Sequence, residues 1–129
     1  MADKRKILLV EDEPLLIDLY KERFGEESFD CWVATDGKEA LRLALKKPNL
    51  ILLDILLPGL NGFEILRKLK ANLETRDIPV IVLTNLGSEQ SDHDRKLAMT
   101  LGAIDYLVKS YHTPDELVEI IQKRLEPAA

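Results

Sequence analysis

Five side chains able to do chemistry stand at the ends of short apolar runs. Glu11 and Asp12 follow Ile7–Val10, Asp54 follows Leu50–Leu53, Thr84 follows Val80–Leu83, and Lys109 follows Ile104–Val108. Three carboxylates brought together repel. Like charges about 4 Å apart cost on the order of 1 kcal/mol in water, and several-fold more at an effective dielectric of about 20. A fold that gathers them is suited to a cation, and carboxylates, carbonyls and water suit Mg²⁺ or Mn²⁺. Lys109 adds a mobile point charge suited to a phosphoryl oxygen, and Thr84 adds a hydroxyl donor. A metal, a cation, a donor and a carboxylate nucleophile are together the parts of a phosphoryl-transfer site. Glu11 and Asp12, adjacent at one strand end, read as a pair of metal ligands. Asp54 stands alone and is followed by the turn Ile55-Leu56-Leu57-Pro58-Gly59, which makes it the better candidate acceptor.

The elements that must position these residues are legible in the apolar pattern. Ile7–Val10, Cys31–Ala34, Leu50–Leu53, Val80–Leu83 and Ile104–Val108 have the length of buried strands. Between them the apolar spacing is helical: Leu15, Leu16, Leu19 and Tyr20; Ala40, Leu41, Ala44 and Leu45; Phe63, Ile65, Leu66 and Leu69; Leu97, Ala98 and Leu101; Leu117, Val118, Ile121 and Leu125. Asp36-Gly37-Lys38-Glu39 and Thr113-Pro114-Asp115-Glu116 read as capping boxes, and Gly102 as a helix stop. A βα unit repeated five times predicts an α/β fold, a doubly wound five-stranded parallel sheet with helices on both faces. In such sheets function collects at the carboxyl ends of the strands, which is where the five side chains stand.

Composition narrows the classes. The chain has 129 residues, which fits a single domain with its core over about 6–125 and needs no disulfide or metal for stability. It is 46% hydrophobic, too apolar for intrinsic disorder. A net charge of −5 argues against direct nucleic-acid binding. One cysteine, Cys31, and two histidines make a poor stock of zinc ligands. The apolar run after the basic N-terminus stops at Glu11, too short for a signal peptide or a membrane span, so a cytoplasmic protein is expected.

Four segments in order carry a resemblance: Lys6-Ile-Leu-Leu-Val-Glu-Asp-Glu13, Leu53-Asp54-Ile-Leu-Leu-Pro-Gly-Leu-Asn-Gly62, Pro79-Val-Ile-Val-Leu-Thr84 and Gly102-Ala-Ile-Asp-Tyr-Leu-Val-Lys109. With them the chain resembles the receiver domain of a two-component response regulator, similar to the chemotaxis regulators, from about Lys6 to Leu125. The resemblance implies a flavodoxin-like strand order 2-1-3-4-5, a family order rather than one read from the pattern. It implies that Glu11, Asp12 and Asp54 hold Mg²⁺ (or Mn²⁺) with the Leu56 backbone carbonyl, and that Asp54 is the phospho-acceptor. Thr84 and Lys109 would contact the phosphoryl group, and Thr84 and Tyr106 would form the switch. The implied donor is a phosphohistidine on a sensor histidine kinase or histidine phosphotransfer protein. The implied readout is the face of helix 4, strand 5 and helix 5 toward a downstream protein, from a monomer or a phosphorylation-dependent dimer. Such a domain catalyses only its own phosphorylation and dephosphorylation.

Three residues depart from the family pattern. Ser110 stands where a proline in a cis bond is usual, leaving a trans bond or a strained cis one. Asn85 replaces a small residue and Leu56 a polar one, which implies slow loss of the phosphoryl group. A degenerate receiver that binds proteins without phosphorylation is the main rival reading. A nucleotide binder lacks its Gly-rich turn here, and a haloacid-dehalogenase-like phosphatase would carry Asp-x-Asp after strand 1. Taken singly, each residue also has a plainer role. Asp12 can cap helix 1 ahead of Pro14, Thr84 can be a turn residue and Lys109 a solvated strand end, and Tyr106 can be a core aromatic. Cys31 reads as a small buried hydrophobe, with Trp32 pointing the other way and partly exposed. His93 and His112 read as surface residues, and Ser88–Lys96 as a weakly supported start to helix 4.

Overall fold

The computed structural model describes residues 4–57, 60–85 and 91–125. Five strands, β1 (Lys6–Val10), β2 (Asp30–Ala34), β3 (Leu50–Asp54), β4 (Val80–Thr84) and β5 (Asp105–Val108), form one parallel sheet in the order 2-1-3-4-5. Five helices connect or follow them: α1 (Pro14–Glu26), α2 (Gly37–Ala44), α3 (Gly62–Ala71), α4 (Ser91–Thr100) and α5 (Pro114–Leu125). The doubly wound, flavodoxin-like fold expected from the sequence is the observed one.

Side chains alternate between two cores. Ile7, Leu9, Leu50, Leu52, Ile81, Leu83 and Leu107 pack with Tyr20 and Phe24 of α1 and with Leu117, Val118 and Ile121 of α5. Leu8, Val10, Ile51, Leu53, Val80, Val82 and Tyr106 pack with α2, α3 and α4 through Ala40, Ala44, Ile65, Leu66, Leu69 and Ala98. The period of two along each strand sends neighbours to opposite faces, and crossover helices cover both. This is why the runs carry no polar residue until they end.

The caps behave as their sequences imply. Thr113 accepts from the Glu116 amide at 3.1 Å, and Glu116 Oε1 accepts from the Thr113 amide at 3.3 Å. Asp36 accepts from the Glu39 amide at 2.8 Å. At the end of α4, the Gly102 amide donates to Met99 and the Ala103 amide to Ala98, with Gly102 at φ +111°. That is a Schellman stop, and its left-handed residue favours glycine. Cys31 is half-buried rather than fully buried, and burial pushes its thiol up to about 11, so it is un-ionised and unreactive at neutral pH. Trp32 packs on the opposite face from Cys31. His93 is exposed and His112 partly so. Residues 88–90 of the expected helix-4 start lie outside the described residues, and α4 begins at Ser91.

Candidate functional site

Strand register explains why distant residues meet. Val10 pairs with Leu53, so Glu11 and Asp54 are the next residues on adjacent strands. Asp54 pairs with Leu83, which brings Thr84 one step beyond it. Thr84 pairs with Val108, which brings Lys109 one step further. The sequence-predicted residues therefore fall along one edge of the sheet, spread over β1, β3, β4 and β5.

There the carboxylate oxygens of Glu11, Asp12 and Asp54 lie within 4.8 Å of one another. Glu11 and Asp54 are only 1% and 4% exposed, while Asp12 is open to solvent. Three hard oxygen donors, one of them facing water, fit Mg²⁺ or Mn²⁺, which keep several waters when bound. Asp12 does not cap α1: the N-cap position is Glu13, with no side-chain cap. Glu11 instead holds the turn ahead of the helix, its Oε2 accepting from the Asp12 and Glu13 amides at 3.1 and 3.2 Å. Its other oxygen accepts a hydrogen bond from Lys109.

Lys109 is the feature that sequence reasoning placed but did not fully read. The residue is 9% exposed, and its ammonium donates both to Glu11 and to Asp54 Oδ2, the latter at 3.1 Å. Burial on its own pulls this ammonium's pKa down, but the bond to Glu11 and the charges of Asp54 and Glu11 outweigh it and hold the pKa above 10.5. The acid edge thus carries an internal counter-ion. The Lys109–Ser110 bond is trans, and Lys109–Tyr111 form a single 3₁₀ turn.

Thr84 is fully buried at its strand end. Tyr106 is 3% exposed, and its ring belongs to the core on the sheet face that α2, α3 and α4 cover. Burial first, then Asp94, raises the pKa of its hydroxyl and keeps it un-ionised, and the Thr84 side chain acts against them. Leu56, two residues past Asp54, pairs through its backbone with Asn61 in a short antiparallel ribbon, Leu56–Leu57 with Leu60–Asn61. Pro58 and Gly59 lie outside the described residues. Two contributors were missed. Gly62 closes this ribbon, its amide donating to the Ile55 carbonyl at 3.0 Å. Tyr20, read only as part of a helix face, is buried close enough to the site for its hydroxyl to feel Lys109, Glu11 and Asp54.

A family model for the response regulator receiver domain matches residues 7–122. The chain belongs to this family. Among curated relatives, the receiver is 42% identical over 115 residues to the transcriptional regulatory protein CpxR of Klebsiella pneumoniae, covering 89% of this chain and 47% of that one. It is 39% identical over 125 residues to the phosphate regulon transcriptional regulatory protein PhoB of Rhizobium meliloti, covering 95% and 54%. The chain thus spans about half the length of these relatives. Among solved structures, the receiver matches the BeF3-activated N-terminal receiver domain of Klebsiella pneumoniae RstA at TM-score 0.83 and 32% identity, covering 95% of this chain and 99% of that one. It also matches the receiver domain of the Pseudomonas aeruginosa sensor histidine kinase PA1611, solved with a magnesium ion coordinated in its active site cleft. There the TM-score is 0.81 and the identity 30%, over 95% and 98% of the two chains.

The counter-ion tempers one expectation about this receiver. Charge repulsion alone predicts that neutralising one carboxylate stabilises the metal-free protein. Glu11, Asp12, Asp54 and Lys109 sum to −3 + 1 = −2 formal charges, so an excess remains to be relieved. Asp54→Asn is expected to raise the metal-free melting point modestly, by roughly 1 kcal/mol of stability, and to lose most of the rise that Mg²⁺ gives the wild type. Thermal melts with and without Mg²⁺ check this. A mutant melting at or below wild type in the absence of metal would show that Lys109 already offsets the repulsion.

Proposed function

We propose that this receiver domain accepts a phosphoryl group on Asp54 from a phosphohistidine of a sensor histidine kinase or histidine phosphotransfer protein, in a Mg²⁺-dependent reaction. One observation carries the proposal: Asp54 is a buried strand-end carboxylate that shares one lysine with Glu11 and lies beside the solvent-exposed Asp12. The magnesium in the active site cleft of the PA1611 receiver and the BeF3-activated state of the RstA receiver support it.

In this reading Glu11, Asp12 and Asp54, with the Leu56 carbonyl, hold the ion, whose chemistry is to neutralise charge on the phosphoryl oxygens. An Asp54 carboxylate oxygen attacks phosphorus, a P–O bond forms, and the P–N bond to the histidine breaks with its electron pair left on the imidazole. Lys109 exchanges its bond to Asp54 for one to a phosphoryl oxygen, and the Thr84 hydroxyl donates to another. Thr84 and Tyr106 then settle in a second arrangement, and the α4–β5–α5 face shifts between two populated states that a downstream protein distinguishes. The domain turns over no other substrate. It acts in the cytoplasm, as a monomer or a phosphorylation-dependent dimer; among the described residues no helix is long and apolar enough to cross a membrane.

Incubation with Mg²⁺ and a small phosphodonor, followed by intact mass, is expected to add one phosphoryl group to the wild type and none to Asp54→Ala. The adduct should persist for minutes or longer, because Asn85 replaces a small residue and Leu56 a polar one of the family pattern. An undiminished adduct in the mutant rejects Asp54 as acceptor. No adduct on the wild type leaves the phosphorylation-independent binding module as the better reading.

A further inference from the structure

A groove of about 290 Å³ runs between the C-terminal ends of α2 and α3. Its floor is apolar: Leu41, Leu45 and Leu69 line it, and Leu45 at the end of α2 stays 51% exposed. Each wall presents one cation, Arg42 from α2 and Lys68 from α3, and both side chains are exposed. Among the described residues neither is in a salt bridge; Glu64, four residues before Lys68, is taken by Arg67. The chain as a whole carries −5, so paired cations over a leucine floor run against its general charge.

The groove is built rather than incidental. The loop that closes its end is fixed from inside: buried Thr75 donates to the Leu69 carbonyl at 2.7 Å, and Lys70 donates to the Arg76 and Ile78 carbonyls at 2.9 and 2.7 Å. A groove held open in the free protein spares an incoming segment the cost of ordering it. Its position is remote from the acid edge. Crossover helices begin where strands end, so the last turns of α2 and α3 lie toward the opposite edge of the sheet from Glu11, Asp54 and Lys109.

We infer that this groove docks an acidic amphipathic helix of a partner protein. A ridge of leucine-like side chains seats between α2 and α3 as helices pack ridge into groove, and flanking carboxylates reach Arg42 and Lys68. Charge complementarity selects an acidic segment over a basic one, and a row of leucines between two helices is the kind of groove into which a third helix packs its own ridge. The contact does not use Asp54 and stays accessible while a phosphodonor occupies the acid edge.

Two synthetic helical peptides of about 18 residues test this. They share leucines at i, i+3, i+4 and i+7 and carry either glutamates or lysines at the flanking positions. Added to the isotope-labelled full chain, the glutamate peptide is expected to shift the amide signals of Leu41, Leu45 and Leu69. The lysine peptide should shift none. The double variant Arg42→Glu/Lys68→Glu should keep its melting temperature and its phosphoryl adduct on Asp54, and bind the glutamate peptide at least about tenfold more weakly. Leu45→Asp should weaken binding to the same degree. Three outcomes overturn the inference: no binding of the glutamate peptide, equal binding of both peptides, or shifts that instead follow protein concentration, which would make a second copy the occupant.

Discussion

Replacing Lys109 with methionine is expected to cost the metal-free protein about 3–5 kcal/mol, the range for stranding buried charge by removing its partner. Methionine keeps most of the side-chain volume, so the loss reports charge rather than a cavity. Without the ammonium, Glu11 and Asp54, at 1% and 4% exposure, lose the cation that the two of them share. Urea unfolding with chelator present, compared with wild type, measures the penalty as a lower midpoint. Added Mg²⁺ should recover a larger share of stability in the mutant than in the wild type, because the ion then replaces the positive charge that Lys109 supplied. A mutant as stable as wild type without metal would mean the two carboxylates are hydrated rather than buried. The sign with pH follows from the same pair of contacts. The Lys109 pKa is raised on folding, so its contribution is fully present below the unfolded value of 10.5 and is lost as pH climbs through the higher folded value. Alkaline titration above about pH 10.5 should therefore narrow the gap between wild type and Lys109→Met.

Gly62→Ala is the second large effect, and it acts through backbone. A Cβ at this position would stand 2.2 Å from the Ile55 Cα and 2.9 Å from the Asp54 carbonyl oxygen. Neither atom can swing aside as a flexible side chain would, so either the start of α3 or the segment carrying Asp54 must move. Overpacking of this kind costs about 1–3 kcal/mol and more where only backbone can yield; the upper end is expected here. The mutation should also lower phosphoryl uptake, since Asp54 is the residue displaced. Far-ultraviolet melts and intact-mass adduct yield measure the two effects separately. Full adduct yield with an unshifted melt would mean the ribbon between Ile55 and Gly62 absorbs a methyl group without moving Asp54.

How legible these features were follows from their range. Apolar runs ending in Glu11, Asp54, Thr84 and Lys109 were readable because a buried parallel strand tolerates no polar residue until it leaves the core. The helices were readable because their caps are local: Asp36 to Glu39 and Thr113 to Glu116 span one turn. Strand order rested on family resemblance, since pairing of residues such as Ile7 and Leu50 leaves no mark in either segment. Glu11 binding two backbone amides with one oxygen and Lys109 with the other is a three-dimensional arrangement with no spacing rule behind it. The Gly62 contact was hidden for a related reason. Glycine at a helix start is ordinarily just a permissive choice, and only the returning backbone of Ile55 makes it obligatory. At Ser110 the sequence left two bond geometries open, and the chain adopts the trans one while curling Lys109–Tyr111 into a 3₁₀ turn.

The register that assembles the acid edge also sets when it can exist. Its members sit at or just past the carboxyl ends of four strands, and no two neighbouring strands of this sheet are joined by a hairpin. Every pairing must wait for a long loop to close, and β1 meets β3 only after the whole stretch between Ile7 and Leu50 has been brought round. Lys109 follows the last strand in chain order, so the charge that balances Glu11 and Asp54 comes from the far end of the chain. A change that loosens β5 therefore unbalances acids carried by β1 and β3 without touching either strand.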